Sequence, residues 1–424
     1  MFQKTIRLYK DAYSGLSREI WLLAIISLIN RAGAMVFPFL TIYLTTALGF
    51  SLKETGIIMG FFGLGSITGA YIGGWLTDRI GSFKVQFWSL VLSSVVLLWM
   101  VQFQSFWSLC FFAFLFSLIA DAFRPATKVA VANYSEPENL TRSFALLRLA
   151  VNLGFSIGPA MAGLIAAWKG YDWLFYIDAI SCFSAAILLR VTLKDDFKGM
   201  AIKEESSNTS NSVEHFTAPS VRPFTSPYQD RFFMFFLVIV SLLSFAFLQL
   251  FYIMPVYLKQ GFGFNEGEIG LLIALNGTII VLVEMPIVYL IEKRYRKFSS
   301  MTIGALLIGL GFAIFIVPSV WIGIAIMSIV LLTFGEIIYM PFASAFVAER
   351  STESNRGQYM ALYTMAWASA SIVALISGLY TSEHYGFNTL WIILLIVGLG
   401  GGLGFWYLGT NINKSMSKVV SKVS

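Results

Sequence analysis

Long apolar runs separated by short polar connections fill the chain from residue 20 to residue 411. Each run holds about 20 residues, the length of helix that crosses a hydrocarbon core of roughly 30 Å. The strict alternation of a membrane β-strand is absent, so each run is predicted to be a helix. The pattern predicts twelve membrane spans, at residues 20–44, 54–77, 85–103, 106–131, 143–168, 173–192, 231–257, 267–290, 299–317, 321–346, 357–380 and 388–411.

The composition agrees with this pattern. Hydrophobic residues make up 57% of the chain, charged residues make up 12%, and the mean hydropathy is +0.76. A soluble protein of 424 residues would carry far more charge on its surface. We therefore expect an all-α integral membrane protein.

A polar stretch divides the twelve spans into two groups of six. It contains acidic and serine-rich residues from Glu204 to Ser212, followed by Pro219, Pro223 and Pro227, and is predicted to be a flexible linker. The predicted organisation is an amino-terminal bundle over residues 1–193, a cytoplasmic linker over 194–230, and a carboxy-terminal bundle with a short tail over 231–424.

The two bundles are related by an internal repeat at an offset of 214 residues. The matched positions are Tyr43-Leu44 with Tyr257-Leu258, Gly49-Phe50 with Gly263-Phe264, Glu54 with Glu268, Gly56 with Gly270, and Arg142 with Arg356. Two six-helix halves in parallel repeat are an arrangement found in secondary transporters, whose substrate site lies between the halves near the membrane midplane.

Basic residues outside the spans concentrate on the side that carries the amino terminus; only Lys53, Lys169 and Lys259 fall on the other side. Cytoplasmic connections collect Lys and Arg, so both termini are predicted to be cytoplasmic. This bias accounts for most of the net charge of +6, so the charge does not indicate a nucleic-acid partner. The first apolar run is too long for a signal peptide and is predicted to remain as span 1.

Residues typical of catalytic or metal sites are scarce. Cys110 and Cys182 lie inside apolar runs and suggest neither a disulfide framework nor a metal site. His215 and His384 have no acidic or cysteine companion at a useful spacing. The sequence therefore indicates neither an enzyme nor a metal-binding protein.

The turn between spans 2 and 3 reads Gly74-Trp75-Leu76-Thr77-Asp78-Arg79-Ile80-Gly81-Ser82-Phe83-Lys84. It resembles the glycine–Leu–Asp–Arg–glycine–basic signature of the major facilitator superfamily, and the resemblance covers essentially the whole chain. The resemblance implies the major facilitator fold, with twelve transmembrane helices in two pseudo-symmetric six-helix bundles. The corresponding turn after span 8, residues 292–297, keeps only the charge.

In that superfamily the aspartate and the arginine of the turn form a cytoplasmic gate that steadies the outward-facing state. The resemblance implies this role for Asp78 and Arg79, with Gly74 and Gly81 permitting close approach and Lys84 as the basic position. A carboxylate at a cytoplasmic helix end can also oppose the positive amino-terminal dipole of a neighbouring helix. Anchoring by positive charge is the alternative, and it explains Arg79 and Lys84 but not the paired glycines.

Span 5 carries a second signature, from Gly154 to Gly163, which resembles the glycine–proline motif of the drug:proton antiporter branch. Its motif positions are Gly154, Gly158, Pro159 and Gly163. Small residues four apart permit close helix approach, and the proline bends the helix. The equivalent stretch of span 11 lacks counterparts of Gly158 and Pro159, an asymmetry shown by the antiporter branch. Ordinary small-residue packing is the alternative.

Ionisable side chains inside the spans are functional candidates because a charge is expensive there. The candidate proton carriers are Asp121, Glu336 and Glu284, since a carboxylate in a low-dielectric cavity holds a proton more readily and a nearby cation opposes this. Arg31 and Arg124 are candidate modulators of these carboxylates or binders of an anionic group. The alternative for Asp121 is a structural ion pair with one of the two arginines.

Polar and aromatic residues on several spans are candidates for a substrate cavity that binds apolar or cationic compounds. They are Asn30, Arg31, Arg124, Gln249, Tyr252, Asn276, Tyr339, Tyr363 and Trp367. The aromatic members could equally face lipid. Lys128, Arg148 and Asp178 lie nearer to helix ends and are predicted to reach the membrane interface.

The sequence thus predicts a monomeric secondary transporter of a bacterial cytoplasmic (inner) membrane. It would export small amphipathic compounds by proton antiport with alternating access, use the proton gradient as its energy source, and need no cofactor. Its partners would be its substrate, protons and the lipid bilayer. The alternative is a proton-coupled symporter that imports a sugar, organic acid or peptide.

Overall fold

The structure is a computed structural model that describes residues 2–193, 226–317 and 320–423. Most of the predicted linker lies outside these residues. The described residues form helices and turns and no strand. The α-helices are α1 (Phe2–Tyr13), α2 (Arg18–Gly33), α3 (Val36–Ile42), α4 (Leu52–Ile80), α5 (Ser82–Met100), α6 (Phe106–Tyr134), α7 (Leu140–Lys169), α8 (Asp172–Thr192), α9 (Arg231–Tyr252), α10 (Met254–Phe262), α11 (Glu266–Glu292), α12 (Lys297–Ala313), α13 (Ile322–Arg350), α14 (Arg356–Tyr385) and α15 (Phe387–Val423).

Twelve helical segments of the described chain are long and apolar enough to cross a membrane, which confirms the predicted all-α fold with twelve spans. Span 1 runs from Arg18 to Ala47 and combines α2, α3 and a π-helical stretch. Spans 2 to 6 are α4 to α8, span 7 is α9, and spans 8 to 12 are α11 to α15. Large exposed tryptophans at helix ends, Trp107, Trp168 and Trp321, occupy positions that suit a membrane–water interface.

The repeated residues build the same local structure before spans 2 and 8. Gly49 and Gly263 both adopt a positive φ, of 72° and 71°, which glycine tolerates at low cost. The N–H of each following phenylalanine then donates to a carbonyl six residues upstream, at 3.0 Å and 3.2 Å. A capping box follows in each case, in which Glu54 and Glu268 accept from the backbone of the N-cap residue. The repeated residues therefore form the same kind of helix start in both halves of the chain.

Span 1 is interrupted in its middle. α2 ends at Gly33, and Ala34 adopts φ −70° and ψ 69°, which is not helical. The N–H of Met35 donates to the carbonyl of Gly33 at 2.7 Å, and α3 begins at Val36. The first N–H groups of α3 therefore need acceptors outside their own helix.

The helices group into two compact units. The first unit comprises the described residues within Leu16–Phe216 and Ser351–Met365, and the second those within Met1–Gly15, Thr217–Arg350 and Ala366–Ser424. The first six spans thus pack with the first turns of α14, whereas α1 packs with the later spans. The predicted division at the linker instead places α1 with the first six spans and all of α14 with the later spans.

Each unit has its own apolar core. In the first unit, Tyr43 packs edge-on against Phe175 with ring centroids 5.1 Å apart, within a cluster that joins span 1 to span 6. In the second unit, Trp391 stacks on Phe312 with centroids 5.7 Å apart. Burial of aromatic rings of this size supplies much of the packing that positions the polar groups described below.

Candidate functional site

In the first unit, the structure brings together the charged candidates of spans 1 and 4. Asp121 is 5% exposed, and its Oδ1 lies 2.7 Å from Nε of Arg124, one helical turn later. Arg31 of span 1 lies within electrostatic reach of both side chains. Its guanidinium also lies over the ring of Phe155, 5.2 Å from the centroid. Arg31 and Arg124 therefore belong to a cluster with two buried carboxylates, Asp121 and Asp178.

The glycines of span 5 determine how closely that span approaches Arg31. A Cβ atom at Gly154 would lie 2.5 Å from Cβ of Arg31, and one at Gly158 would lie 3.1 Å from the carbonyl oxygen of Arg31. At Gly163 the nearest atom would be at an ordinary 3.6 Å, on Phe39. Pro159 lies inside α7, between the last two glycines. The missing side chains at Gly154 and Gly158 thus allow span 5 to pack directly against Arg31.

The prediction that Asp178 reaches the membrane interface is wrong. Its side chain is 3% exposed and lies inside the first unit. The N–H of Val36 donates to its Oδ2 at 3.3 Å, and the thiol of Cys182 donates to its Oδ1 at 3.7 Å. Asn30 in turn donates to the sulfur of Cys182 at 3.5 Å. The carboxylate therefore holds the start of α3, because the interruption of span 1 exposes N–H groups there.

Lys128 also turns inwards rather than to the interface. Its ammonium donates to the hydroxyl of Thr364 at 3.1 Å and lies over the ring of Tyr363, 4.4 Å from the centroid. Both partners belong to the segment of α14 that packs with the first unit. Tyr363, a candidate cavity residue, is thus placed beside a cation.

In the second unit, the structure brings together Asn276 of span 8 and Glu336 of span 10. Glu336 is 4% exposed, and its Oε2 accepts a hydrogen bond from Nδ2 of Asn276 at 3.1 Å. The same amide donates to the hydroxyl of Thr333 at 2.9 Å, and that hydroxyl donates to the carbonyl of Ile329. The carboxylate is thus held by a neutral amide in a hydrogen-bonded network inside the membrane.

The other cavity candidates of this unit lie apart from that network. Gln249 of span 7 donates to the carbonyl of Ala374 at 3.0 Å, where Gly378 leaves room for its side chain. Tyr252 shares a hydrogen bond of 2.9 Å with Ser371. These two residues tie span 7 to span 11, and Gln249 has no exposed surface.

Two aromatic candidates of the second unit are packed by their neighbours. Tyr339 has no exposed surface and lies against Phe405, with ring centroids 5.6 Å apart. Trp367 lies edge-on to Phe247 at 6.2 Å and keeps part of its surface exposed. Of the two, Trp367 is the better placed to contact a ligand.

The turn that carries the superfamily signature contacts the amino terminus of α14. Oδ1 of Asp78 accepts from the N–H of Gly357 at 2.5 Å, and Oδ2 accepts from the N–H of Gln358 at 2.9 Å. The expected pairing of a carboxylate with the positive end of a helix is therefore present. Gly74 and Gly357 face each other so closely that a Cβ on either would meet the carbonyl of the other.

The basic residues of the turn lie at its surface. Arg79 stacks on Trp75, with its guanidinium carbon 3.8 Å from the ring centroid, and Lys84 is exposed. Gly81 joins α4 to α5 with φ 89°, a conformation that L side chains avoid. Beside the turn, Arg356 donates to the side chain of Asn133 and draws α14 towards span 4.

Glu284 of span 8 has different surroundings from Glu336. It is fully buried, and its carboxylate acts on Tyr13 of α1. Burial raises the pKa of the Tyr13 phenol, and the charges of Glu284 and Tyr9 raise that pKa further. Tyr9 itself donates to the carbonyl of Leu282 at 2.6 Å. Sequence reasoning missed α1, although its apolar and basic positions alternate with helical spacing.

No group of three or more His, Cys, Asp or Glu side chains that could hold a metal ion occurs in the described part of the chain. The candidate residues described above are buried carboxylates, their amide and cationic partners, and aromatic rings.

The family comparison matches nearly the whole chain. The model described as Major Facilitator Superfamily matches residues 20–267 and 251–421. The Na(+), Li(+), K(+)/H(+) antiporter of Planococcus maritimus is 25% identical over 384 residues, which cover 86% of this chain and 89% of that protein. The multidrug resistance protein MdtG of Proteus mirabilis (strain HI4320) is 29% identical over 160 residues, 37% of this chain and 40% of that protein.

A solved structure shares the fold. The crystal structure of a bacterial homologue of the iron transporter ferroportin, in an outward-facing state, aligns with a TM-score of 0.71 at 17% sequence identity. The alignment covers 93% of this chain and 100% of that one. At this identity the likeness supports the fold alone.

Proposed function

Because the chain belongs to the Major Facilitator Superfamily, we propose that it is a proton-coupled secondary transporter that exports small amphipathic compounds by antiport. The chain is an integral multi-pass membrane transporter and not an enzyme. Proton coupling, the direction of transport and the substrate class are the proposed parts.

The observation that carries the proposal is the buried carboxylate of Glu336 in span 10. A carboxylate at this depth is costly unless it has partners or takes up a proton. Its partner Asn276 is neutral and sits on another span, so the network survives whether Glu336 is charged or protonated. A group that can change its charge without losing its partner suits a proton carrier.

Asp121 is the second proposed carrier and works in a different environment. Its Oδ1 lies 2.7 Å from Nε of Arg124, and Arg31 lies within electrostatic reach. A movement that separates the carboxylate from either cation would favour proton uptake, and the reverse movement would favour release. Glu284 is proposed as a third carrier, next to α1.

The export of amphipathic compounds is supported by the glycine–proline segment of span 5 and by the likeness to MdtG, a multidrug resistance protein. The partly exposed ring of Trp367 suits apolar and cationic aromatic compounds, whereas the ring of Tyr363 is already covered by the ammonium of Lys128.

A second candidate function is the exchange of monovalent cations for protons. It is favoured by the likeness to the Planococcus maritimus antiporter of Na+, Li+ and K+, which spans most of both chains. The same buried carboxylates could bind either a proton or a small cation. The two candidates differ in the cargo that moves against the proton.

The proposal includes the setting of the transporter. We propose a monomer in the bacterial cytoplasmic membrane with both termini in the cytoplasm, driven by the proton gradient and without a cofactor. Labelling of single cysteines at positions Ser14 and Ser415 from either side of the membrane tests the orientation of both termini. Reaction from the periplasmic side only would contradict it.

The function is tested in proteoliposomes under an imposed pH gradient, with lipophilic cations, Na+ and K+ offered separately. Export of lipophilic cations that is lost in Glu336→Gln supports the proposal. Exchange of Na+ or K+ alone supports the second candidate, and uptake of an anionic nutrient contradicts both. Glu349→Gln is the matched control, since Glu349 lies on the same helix with an exposed side chain paired to Lys297.

A further inference from the structure

The amino-terminal helix α1 packs against span 8 within the second unit. Tyr9, Ala12 and Tyr13 have the spacing i, i+3, i+4 and therefore share one face of α1. Ala12 has no exposed surface, whereas Arg7 and Lys10 are exposed. One buried face and one exposed face make α1 a docked amphipathic helix.

The docking point is a defect in the hydrogen bonding of span 8. In an α-helix the carbonyl of one residue accepts from the N–H four residues later. Pro286 is four residues after Leu282 and has no N–H, so the helix cannot supply this donor. The hydroxyl of Tyr9 donates to the Leu282 carbonyl at 2.6 Å. The phenol of α1 thus replaces the missing backbone donor.

The same stretch of span 8 carries Glu284, between Leu282 and Pro286. Glu284 is fully buried, and Tyr13 is the α1 side chain on which its charge acts. A helix with an interior proline lacks one hydrogen bond and bends more readily there. Docking of α1 therefore stabilises the part of span 8 that holds a buried carboxylate.

We propose that α1 is a latch on span 8. In the docked state, Tyr9 completes the hydrogen bonding at Leu282 and Tyr13 lies within electrostatic reach of Glu284. In the released state, span 8 can bend at Pro286. The idea that this release is a step of transport rests on the proposed function. The existence of the latch does not.

The latch is tested by hydrogen exchange of the α1 backbone amides in the full-length protein. Tyr9→Phe removes only the hydroxyl and is expected to speed exchange by roughly two- to tenfold, the range that a net hydrogen bond contributes. Pro286→Ala restores the N–H, so Tyr9→Phe should have little further effect in that background. Pro286→Ser supplies the same N–H if the alanine variant is poorly produced. Tyr385→Phe, at an exposed site, is the control.

Unchanged exchange in Tyr9→Phe would overturn the latch, and so would an undiminished effect of Tyr9→Phe in the Pro286→Ala background. The role of the latch in transport is tested separately, by measuring the turnover rate and KM. Tyr9→Phe should raise the turnover rate by a similar factor and leave KM unchanged, because it weakens the docked state and not the substrate contacts. Faster exchange without any change in turnover would support the latch but would contradict its role in transport.

Discussion

Three buried carboxylates inside the spans are held by different kinds of partner. Asp121 pairs with a cation, Glu336 accepts from a neutral amide, and Asp178 accepts from a backbone N–H and a thiol. A carboxylate that accepts from backbone N–H groups at a helix start stabilises that start. Asp178 of span 6 is therefore interpreted as a structural residue that stabilises the start of α3 in span 1, and Glu336 as the better candidate for proton transfer.

Asp178→Ala should destabilise the protein by about 1–3 kcal/mol, because it leaves the buried N–H of Val36 and the Cys182 thiol without their acceptor. Asp178→Asn keeps an acceptor oxygen and should cost less. The measurement is thermal unfolding of the purified protein in detergent. Equal losses for the two variants would contradict the assignment of Asp178 as an acceptor for α3.

Some of these contacts could be predicted from the sequence and others could not. Asp121 and Arg124 are three residues apart on a helix, so their pairing follows from spacing alone. The contact of Asp178 with Val36 depends on the interruption of span 1 after Gly33, and a single glycine in an apolar run does not predict a break. The network of Asn276 and Glu336 joins two spans, and a single sequence does not reveal which helices pack together.

The helix elements follow the apolar pattern closely where that pattern is long. All twelve predicted spans occur, and several extend past their predicted ends because charged residues such as Arg18 and Arg350 remain helical outside the apolar run. α1 was missed because it is short and its apolar residues lie on one face only. Its spacing of basic residues at Lys4, Arg7 and Lys10 was the available signal.

Close packing of span 5 on span 1 gives a graded prediction. Gly154→Ala should be the most harmful of three substitutions, since its Cβ would meet that of Arg31, and the expected loss is about 1–3 kcal/mol. Gly158→Ala should be milder, and Gly163→Ala should stay within about 0.5 kcal/mol. Thermal unfolding and transport measured on all three variants check the order. A loss at Gly163 as large as at Gly154 would favour a sequence-specific role over this steric account.

The order of the helices along the chain and their grouping into compact units do not coincide. The first turns of α14 pack with the first unit, where Asp78 caps them. The signature turn predicted a role for Asp78 at a helix end, but the identity of that helix depends on the tertiary structure. We propose that this contact is the cytoplasmic gate, which must form and break during alternating access.

Asp78→Ala should lower transport by tenfold or more, because a gate without its contact cannot hold one state; this factor corresponds to about 1.4 kcal/mol. The transport rate of Asp78→Asn should fall between those of the native protein and Asp78→Ala, since asparagine keeps an acceptor but loses the charge. Hydrogen exchange at Gly357 and Gln358 should speed up in both variants. Glu138→Gln, on the exposed turn before span 5, is the control. Native transport by Asp78→Ala would exclude the gate role.

In the proposed function, protons carried by a buried carboxylate of the spans drive transport. The most direct test is the efflux of a lipophilic cation from proteoliposomes with and without an imposed pH gradient, in the native protein, Glu336→Gln and Asp121→Asn. We predict gradient-driven efflux in the native protein and its loss in Glu336→Gln, with Glu349→Gln unaffected. Efflux that is independent of the gradient in the native protein, or equally gradient-driven in both carboxylate variants, would contradict the claim.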